Sequence, residues 1–128
     1  MRSASHVIKR FLKFRVRNIT RGTCLGDQIA AANTSASRRT GLLKQSALEA
    51  GHGLWIVPCE GIHTFFMKFA IDVVYIDRKN RVRKVVRQLG AWRLSVCLPA
   101  HSVLELPAGT IDSTGTQAGD ELEFQTLD

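Results

Sequence analysis

The stretch that decides the fold is Gly53–Asp77, GLWIVPCEGIHTFFMKFAIDVVYID, an almost unbroken apolar run holding a few isolated polar residues, among them Cys59, His63, Lys68 and Asp72. Within it, Ile71–Ile76 is apolar on both faces apart from Asp72, which predicts a central strand covered on both sides. Further on, Val103–Gly109 (VLELPAG) sets one carboxylate, Glu105, among aliphatic neighbours. An ionisable side chain in such a run must find a partner, neutralise itself or reach water, because desolvating an unpaired charge is costly. Chemistry is to be sought at these positions, and a structural ion pair would sit at the same ones.

Working outward, Phe14–Ile19 alternates apolar and polar residues, the period of a half-buried strand, and Arg21-Gly22 can turn the chain into a second strand over Thr23–Ala32. Asn33–Ala50 differs. Asn33, Thr34, Ser35 or Ser37 can cap a helix, the following residues are good helix formers, Gly41 weakens the middle, and Gly51 and Gly53 stop it. From there the chain reads as strands: Leu54–Val57, Ile62–Phe66, Ile71–Ile76, Val82–Leu89, Leu94–Leu98, Val103–Leu106 and Leu122–Phe124, with Asp77–Asn80 a turn and Pro107-Ala-Gly and Gly119-Asp as punctuation. Many short strands with one helical excursion predict a mainly β single domain, an antiparallel sandwich of jelly-roll type or a squat barrel.

At 128 residues the chain can bury a core without disulfides or metal, and its apolar (45%) and charged (23%) fractions are those of a soluble globular protein. No apolar run is long enough for a membrane helix, and the N-terminus lacks the continuous apolar core of a secretory signal, so the expected compartment is the cytoplasm. Cys24, Cys59 and Cys97 are widely spaced and odd in number, which favours buried free thiols over a disulfide framework. The net charge of +7 is unevenly placed: residues 1–21 hold seven bases and no acid, while the remainder sums to zero. This predicts a basic N-terminal arm over residues 1–13, loosely attached to a domain over 14–128. Nucleic acid is not the expected partner, because phosphate affinity alone is nonspecific and no zinc-finger, helix-turn-helix or aromatic-glycine RNA signature is found.

The ordered segments R-R-T-G-L-L (38–43), G-x-G-L-W-I-V-P-C (51–59), I-H-T-F-F-M-K-F-A-I-D-V-V-Y-I-D (62–77), A-W-R (91–93), V-L-E-L-P-A-G (103–109) and G-D (119–120) resemble the bacterial and archaeal family called domain of unknown function 192. The resemblance runs from about Ile19 to Phe124 and leaves out the arm. It implies a compact β-rich, jelly-roll-like or barrel-like fold with a short helix near the arginine-glycine-leucine segment. It implies no established activity.

Three constellations carry candidate chemistry. Cys59, His63 and Met67 are borderline and soft ligands suited to copper(I) or zinc, but steps of four residues along a strand span about 13 Å. A core thiol, a satisfied histidine and a core methionine are therefore the favoured reading, and no metal is expected. His63, Asp72 and Glu105 make a possible general acid/base set for hydrolysis or lyase chemistry. Against it, Asp72 can accept backbone N–H bonds at a strand start and Glu105 can neutralise an arginine. Arg38 and Arg39 form the third group: on a helix one of them faces the sheet, where its planar fork can hold Glu105 or Asp72 as a structural ion pair, or line a ligand cleft. Trp55 and Trp92 read as architecture, and no P-loop, dinucleotide or calcium-loop motif calls for a cofactor.

The sequence thus predicts a monomeric ligand-binding or accessory module without its own catalysis, for an unknown small molecule or protein partner. The alternative is a small hydrolase- or lyase-like enzyme using His63 with Asp72 or Glu105.

Overall fold

The computed structural model describes residues 12–32 and 47–127. Most of the expected arm, the greater part of the expected helical segment and the Arg38–Arg39 pair lie outside the described residues. The elements are β1 (Lys13–Asn18), β2 (Thr23–Ala32), β3 (His52–Ile56), β4 (Gly61–His63), β5 (Ile71–Ile76), β6 (Val82–Leu89), β7 (Leu94–Val96), β8 (Ser102–Pro107), helix α1 (Thr110–Thr114) and β9 (Leu122–Leu127).

Seven strands form one sheet in the order β6-β5-β8-β3-β2-β1-β9, and β4 pairs with β7 in a separate two-stranded layer. Every pairing is antiparallel except β2 with β3, so the large sheet is mixed. Its two outer strands meet. Arg81 bridges Glu121, the Val82 N–H donates to the Asp120 carbonyl at 2.8 Å, and the Leu122 N–H donates to the Asn80 carbonyl at 2.8 Å. The sheet therefore curls into a squat barrel, which removes edges that would otherwise invite strand addition.

At this seam Asp120 accepts hydrogen bonds from Asn18 Nδ2 (2.9 Å), Arg21 Nε (3.1 Å) and the Gln117 N–H (3.0 Å). Burial pushes its carboxyl up, but the bonds from Arg21, Asn18 and Gln117 outweigh burial and hold it below the ordinary carboxylate range.

β5 lies between β6 and β8, and all six of its residues are buried. Its period of two sorts them onto two cores. Val74 and Ile76 point into the barrel with Leu104 and Leu106 from β8, joined by Val16, Leu25, Ile29 and Leu122. Ile71, Val73 and Tyr75 point outward with Val103 and Ile56, where the β4–β7 layer covers them with Ile62 and Met67. Trp55, packed between Phe14 (5.1 Å) and Phe124 (4.1 Å) with Nε1 donating to Ser102 Oγ, fills the barrel at the start of β8. Helix α1 follows β8 and contributes Ile111 to the same interior.

Besides the parallel β2–β3 pair, four details depart from the sequence reading. Residues taken as punctuation lead into α1, which is five residues long and too short to print a helical period; Gly109 (φ 98°) and Gly115 (φ 70°) bound it. β4 stops at His63, where a run to Phe66 was expected, because Phe66 turns the chain with φ 68°. β7 is likewise shorter, and β9 runs on to Leu127.

Candidate functional site

Asp72 faces the barrel side of β5, at the end nearest α1. It is 1% exposed, and its carboxylate accepts three backbone N–H bonds: from Gln88 at 2.9 Å, Gly109 at 3.1 Å and Ile111 at 2.8 Å. It thus ties a bulge in β6 and the start of α1 to the central strand. These donors occupy both oxygens and fix Asp72 as a fastening between elements.

Glu105 lies one step away in register but on the other face. Asp72 pairs with Leu106 and Val73 pairs with Glu105, so the pleat sends Asp72 inward and Glu105 outward, beside Leu54 and Val73. Glu105 is completely buried. The backbones pack tightly beside it: a Cβ added at Gly53 would lie 2.6 Å from the Glu105 carbonyl oxygen, so only glycine lets β3 approach β8 there.

His63 completes neither group. It is exposed on the outward face of β4, its ring 4.9 Å from that of Phe65 and its Nδ1 accepting the Phe65 N–H at 3.3 Å. The acid/base set of His63, Asp72 and Glu105 is therefore dispersed over two faces of one sheet and the outside of a second layer. The ligand set is dispersed as well. Met67 is buried in the outer core, while Cys59 is half-buried there with Sγ donating to the Gly61 carbonyl at 3.0 Å. Among the described residues no three His, Cys, Asp or Glu side chains converge to hold a metal ion.

The outer core does bring together one group that sequence reasoning overlooked. Tyr75, the single tyrosine, is wholly buried beside the outward face of β8 and donates to Ser95 Oγ at 2.9 Å. Lys84 Nζ lies 5.8 Å from its ring centroid. Burial pushes the phenol above its ordinary value. The Ser95 hydrogen bond works against this, and the nearby Cys59, Cys97 and Glu105 add to it. A lone tyrosine in an otherwise aliphatic strand, in step with Val73 and out of step with Asp72, was the available signal.

The β4–β7 layer presents the most distinctive surface. On β7, Ser95 points inward to Tyr75, whereas Leu94 and Val96 point out. Phe66, Trp92, Leu94, Val96 and Leu98 are 58–72% exposed, and they make up all but one of the exposed large apolar side chains among the described residues. Phe66 and Trp92 touch, with ring centroids 4.5 Å apart, and Phe65 stacks on Trp92 at 5.6 Å.

Both of these turns are strained. Phe66 (φ 68°) and Trp92 (φ 63°) occupy the left-handed region, at about 1–3 kcal/mol each for a bulky residue. Buried Thr64 offsets this by clasping the turns together. Its carbonyl accepts the N–H groups of Met67 (3.1 Å) and Trp92 (3.0 Å), and its N–H donates to the Arg93 carbonyl (2.9 Å). Its hydroxyl donates to the Gly90 carbonyl (2.6 Å) and accepts the Arg93 N–H (2.9 Å).

An open cleft of about 500 Å³ lies between β2 and α1, lined among others by Cys24, Asp27, Gly109 and Thr110. The hydroxyls of Thr110, Ser113 and Thr114 on its wall all donate to carbonyls within the helix and its approach.

Residues 16–124 match the family called domain of unknown function 192, described as an uncharacterised ACR. The chain belongs to this family. Members similar to it include UPF0127 proteins from the archaea Thermococcus sibiricus and Pyrococcus furiosus. The first is 30% identical over 84% of this chain and 73% of the relative, the second 27% identical over 86% and 97%. Among solved structures, a Sinorhizobium meliloti protein provisionally designated a transcription regulator superposes with a TM-score of 0.74 at 21% identity, covering 88% of this chain and 92% of that one. A Novosphingobium aromaticivorans protein of unknown function gives 0.72 at 20%, covering 86% and 82%. At this identity the likeness is one of fold.

In this domain-192 member no helix among the described residues is long and apolar enough to cross a membrane. The clasp at Thr64 and the outward stripe of β7 were also missed by sequence reasoning. An apolar–polar alternation that leaves Leu94, Val96 and Leu98 on one face was in the chain, but alternation alone does not say which face is covered.

Proposed function

We propose that this protein is a non-catalytic binding module, and that it binds through the outward face of the β4–β7 layer. The observation that carries the reading is the set of exposed apolar side chains Phe66, Trp92, Leu94, Val96 and Leu98, the first two held out on strained turns that one buried threonine clasps. Contiguous exposed apolar surface on a small domain marks an interaction site, and strain is retained where the surroundings enforce it for use. The dispersal of His63, Asp72 and Glu105 supports the same side of the question, since general acid/base work needs its groups within hydrogen-bond reach of one substrate.

A photo-crosslinking amino acid at position 94, compared with one at the exposed position 123 on β9, tests the reading in the producing cell. Adducts at 94 and none at 123 are expected. Silence at 94 would remove the proposal.

A further inference from the structure

The outward stripe has two chemical components that together select a class of partner. Leu94 and Val96 on β7 and Leu98 in the turn after it recur every second residue, the two leucines each 72% exposed, and their side chains offer flexible aliphatic surface with no polar atom. Phe66 and Trp92 stand at one end of the stripe on the clasped turns. Around this apolar centre lie exposed cations: Lys68 two residues after Phe66, Arg93 beside Trp92, and Lys84, whose Nζ donates to the Val96 carbonyl at 2.8 Å. Glu60, next to Gly61 on β4, is the one acid in the stretch between Pro58 and Ala70. Three exposed cations and one anion thus stand next to the aliphatic and aromatic residues, two of the cations by chain position and Lys84 by its bond to Val96.

Nucleic acid fits poorly, because bases stack on flat rings and aliphatic side chains give them no platform. A protein interface is depleted of lysine, and two of the three cations here are lysines. An anionic bilayer surface meets every component. Aliphatic groups enter the acyl boundary, tryptophan and phenylalanine sit at headgroup depth, and lysine and arginine reach back to the phosphates on their apolar stems. We infer that this face docks, peripherally and reversibly, on a membrane surface containing anionic lipid. The inference rests on the binding-module reading and names its partner. Charge adds range: residues 1–21 of the full chain supply seven further bases and no acid, and polybasic segments strengthen such attachment in a salt-dependent way.

The test uses the full chain and sedimentation with vesicles of phosphatidylcholine alone or mixed two-to-one with phosphatidylserine. Binding to the mixed vesicles is expected, weakened by added salt, and reduced at least tenfold in the double variant Leu94→Asp/Leu98→Asp. Both positions are solvent-facing, so the variant folds and its melting temperature checks that. A second readout locates the contact: lipids brominated on their acyl chains quench the emission of Trp92 but not of Trp55, which is packed in the barrel. Quenching is expected in the wild type and lost in Trp92→Phe. No sedimentation with mixed vesicles overturns the inference. So does sedimentation without quenching, which would assign the contact to the basic arm. Crosslinks from position 94 to protein, to nucleic acid or to a second copy of this chain would keep the binding module and discard the lipid surface.

Discussion

Asp72 and Glu105 stand on neighbouring strands one step apart in register, both buried, and they differ in what backbone can reach them. Asp72 lies at a strand end, where β6 bulges and β8 gives way to α1, so backbone N–H groups not committed to the ladder can turn toward it. Glu105 lies mid-strand between β3 and β5, where backbone donors are spent on the ladder. We propose that side chains supply the counter-groups for its oxygens. A carboxylate satisfied by backbone welds elements together; one satisfied by side chains depends on residues that substitution can remove.

The largest expected effect is at Glu105. Its proposed partner is Arg38 or Arg39, and removing one member of such a pair costs about 3–5 kcal/mol because the other is left charged and buried. Replacing both by apolar residues should recover much of the loss. Urea unfolding of the two single variants and the double variant measures the coupling. Additive losses for Glu105 and both arginines would show that they do not touch.

Asp72→Ala should lower stability by about 2–4 kcal/mol, since three N–H donors are orphaned at once. No second substitution should rescue it, because its partners are main chain. A loss below about 0.5 kcal/mol would end the description of Asp72 as a fastening.

This contrast also explains what the sequence could and could not tell. Ile71–Ile76 was legible as the central strand because a run apolar on both faces has few other homes, and its one carboxylate near the start already pointed to backbone donors. Glu105 was legible as buried from VLELP. That the two carboxylates face apart was implicit in the register of β5 and β8, which is set by pairings far apart in the chain and by no local pattern. His63 read as a satisfied histidine or an acid/base group because it sits in an apolar run. It is exposed because β4 buries Ile62 and turns His63 to the outward face opposite Leu94, a side that the pairing with β7 decides and composition does not announce.

The barrel seam offers an intermediate case, Asp120, held by side chains and backbone together. Its folded carboxyl lies below the ordinary range, so its contribution is fully present above about pH 4 and is lost as the pH falls through the folded value. Asp120→Asn should remove about 1–2 kcal/mol at neutral pH and flatten the acid limb of the stability profile. Parallel profiles for the variant and the wild type would mean that the seam carboxylate does not sense the folded state.

The smallest effect separates the two faces most directly. Tyr75 is the single tyrosine, so its ionisation can be followed in the ultraviolet without interference from another phenol. Burial raises its titration above the ordinary value of about 10, and the negative charge of Glu105 on the same face raises it further. A raised acid stays neutral in the folded state while the unfolded chain ionises, so this group opposes stability only as the pH climbs past about 10. Glu105→Gln removes a charge on the shared face and should bring the midpoint down. Asp72→Asn removes a charge from the barrel side and should leave it in place. Equal shifts from both would mean that the sheet does not divide the carboxylates. A wild-type midpoint at or below the ordinary value would mean that Tyr75 is not sealed beneath the β4–β7 layer, and the apolar stripe on that layer would then lose the rigid support on which the docking surface depends.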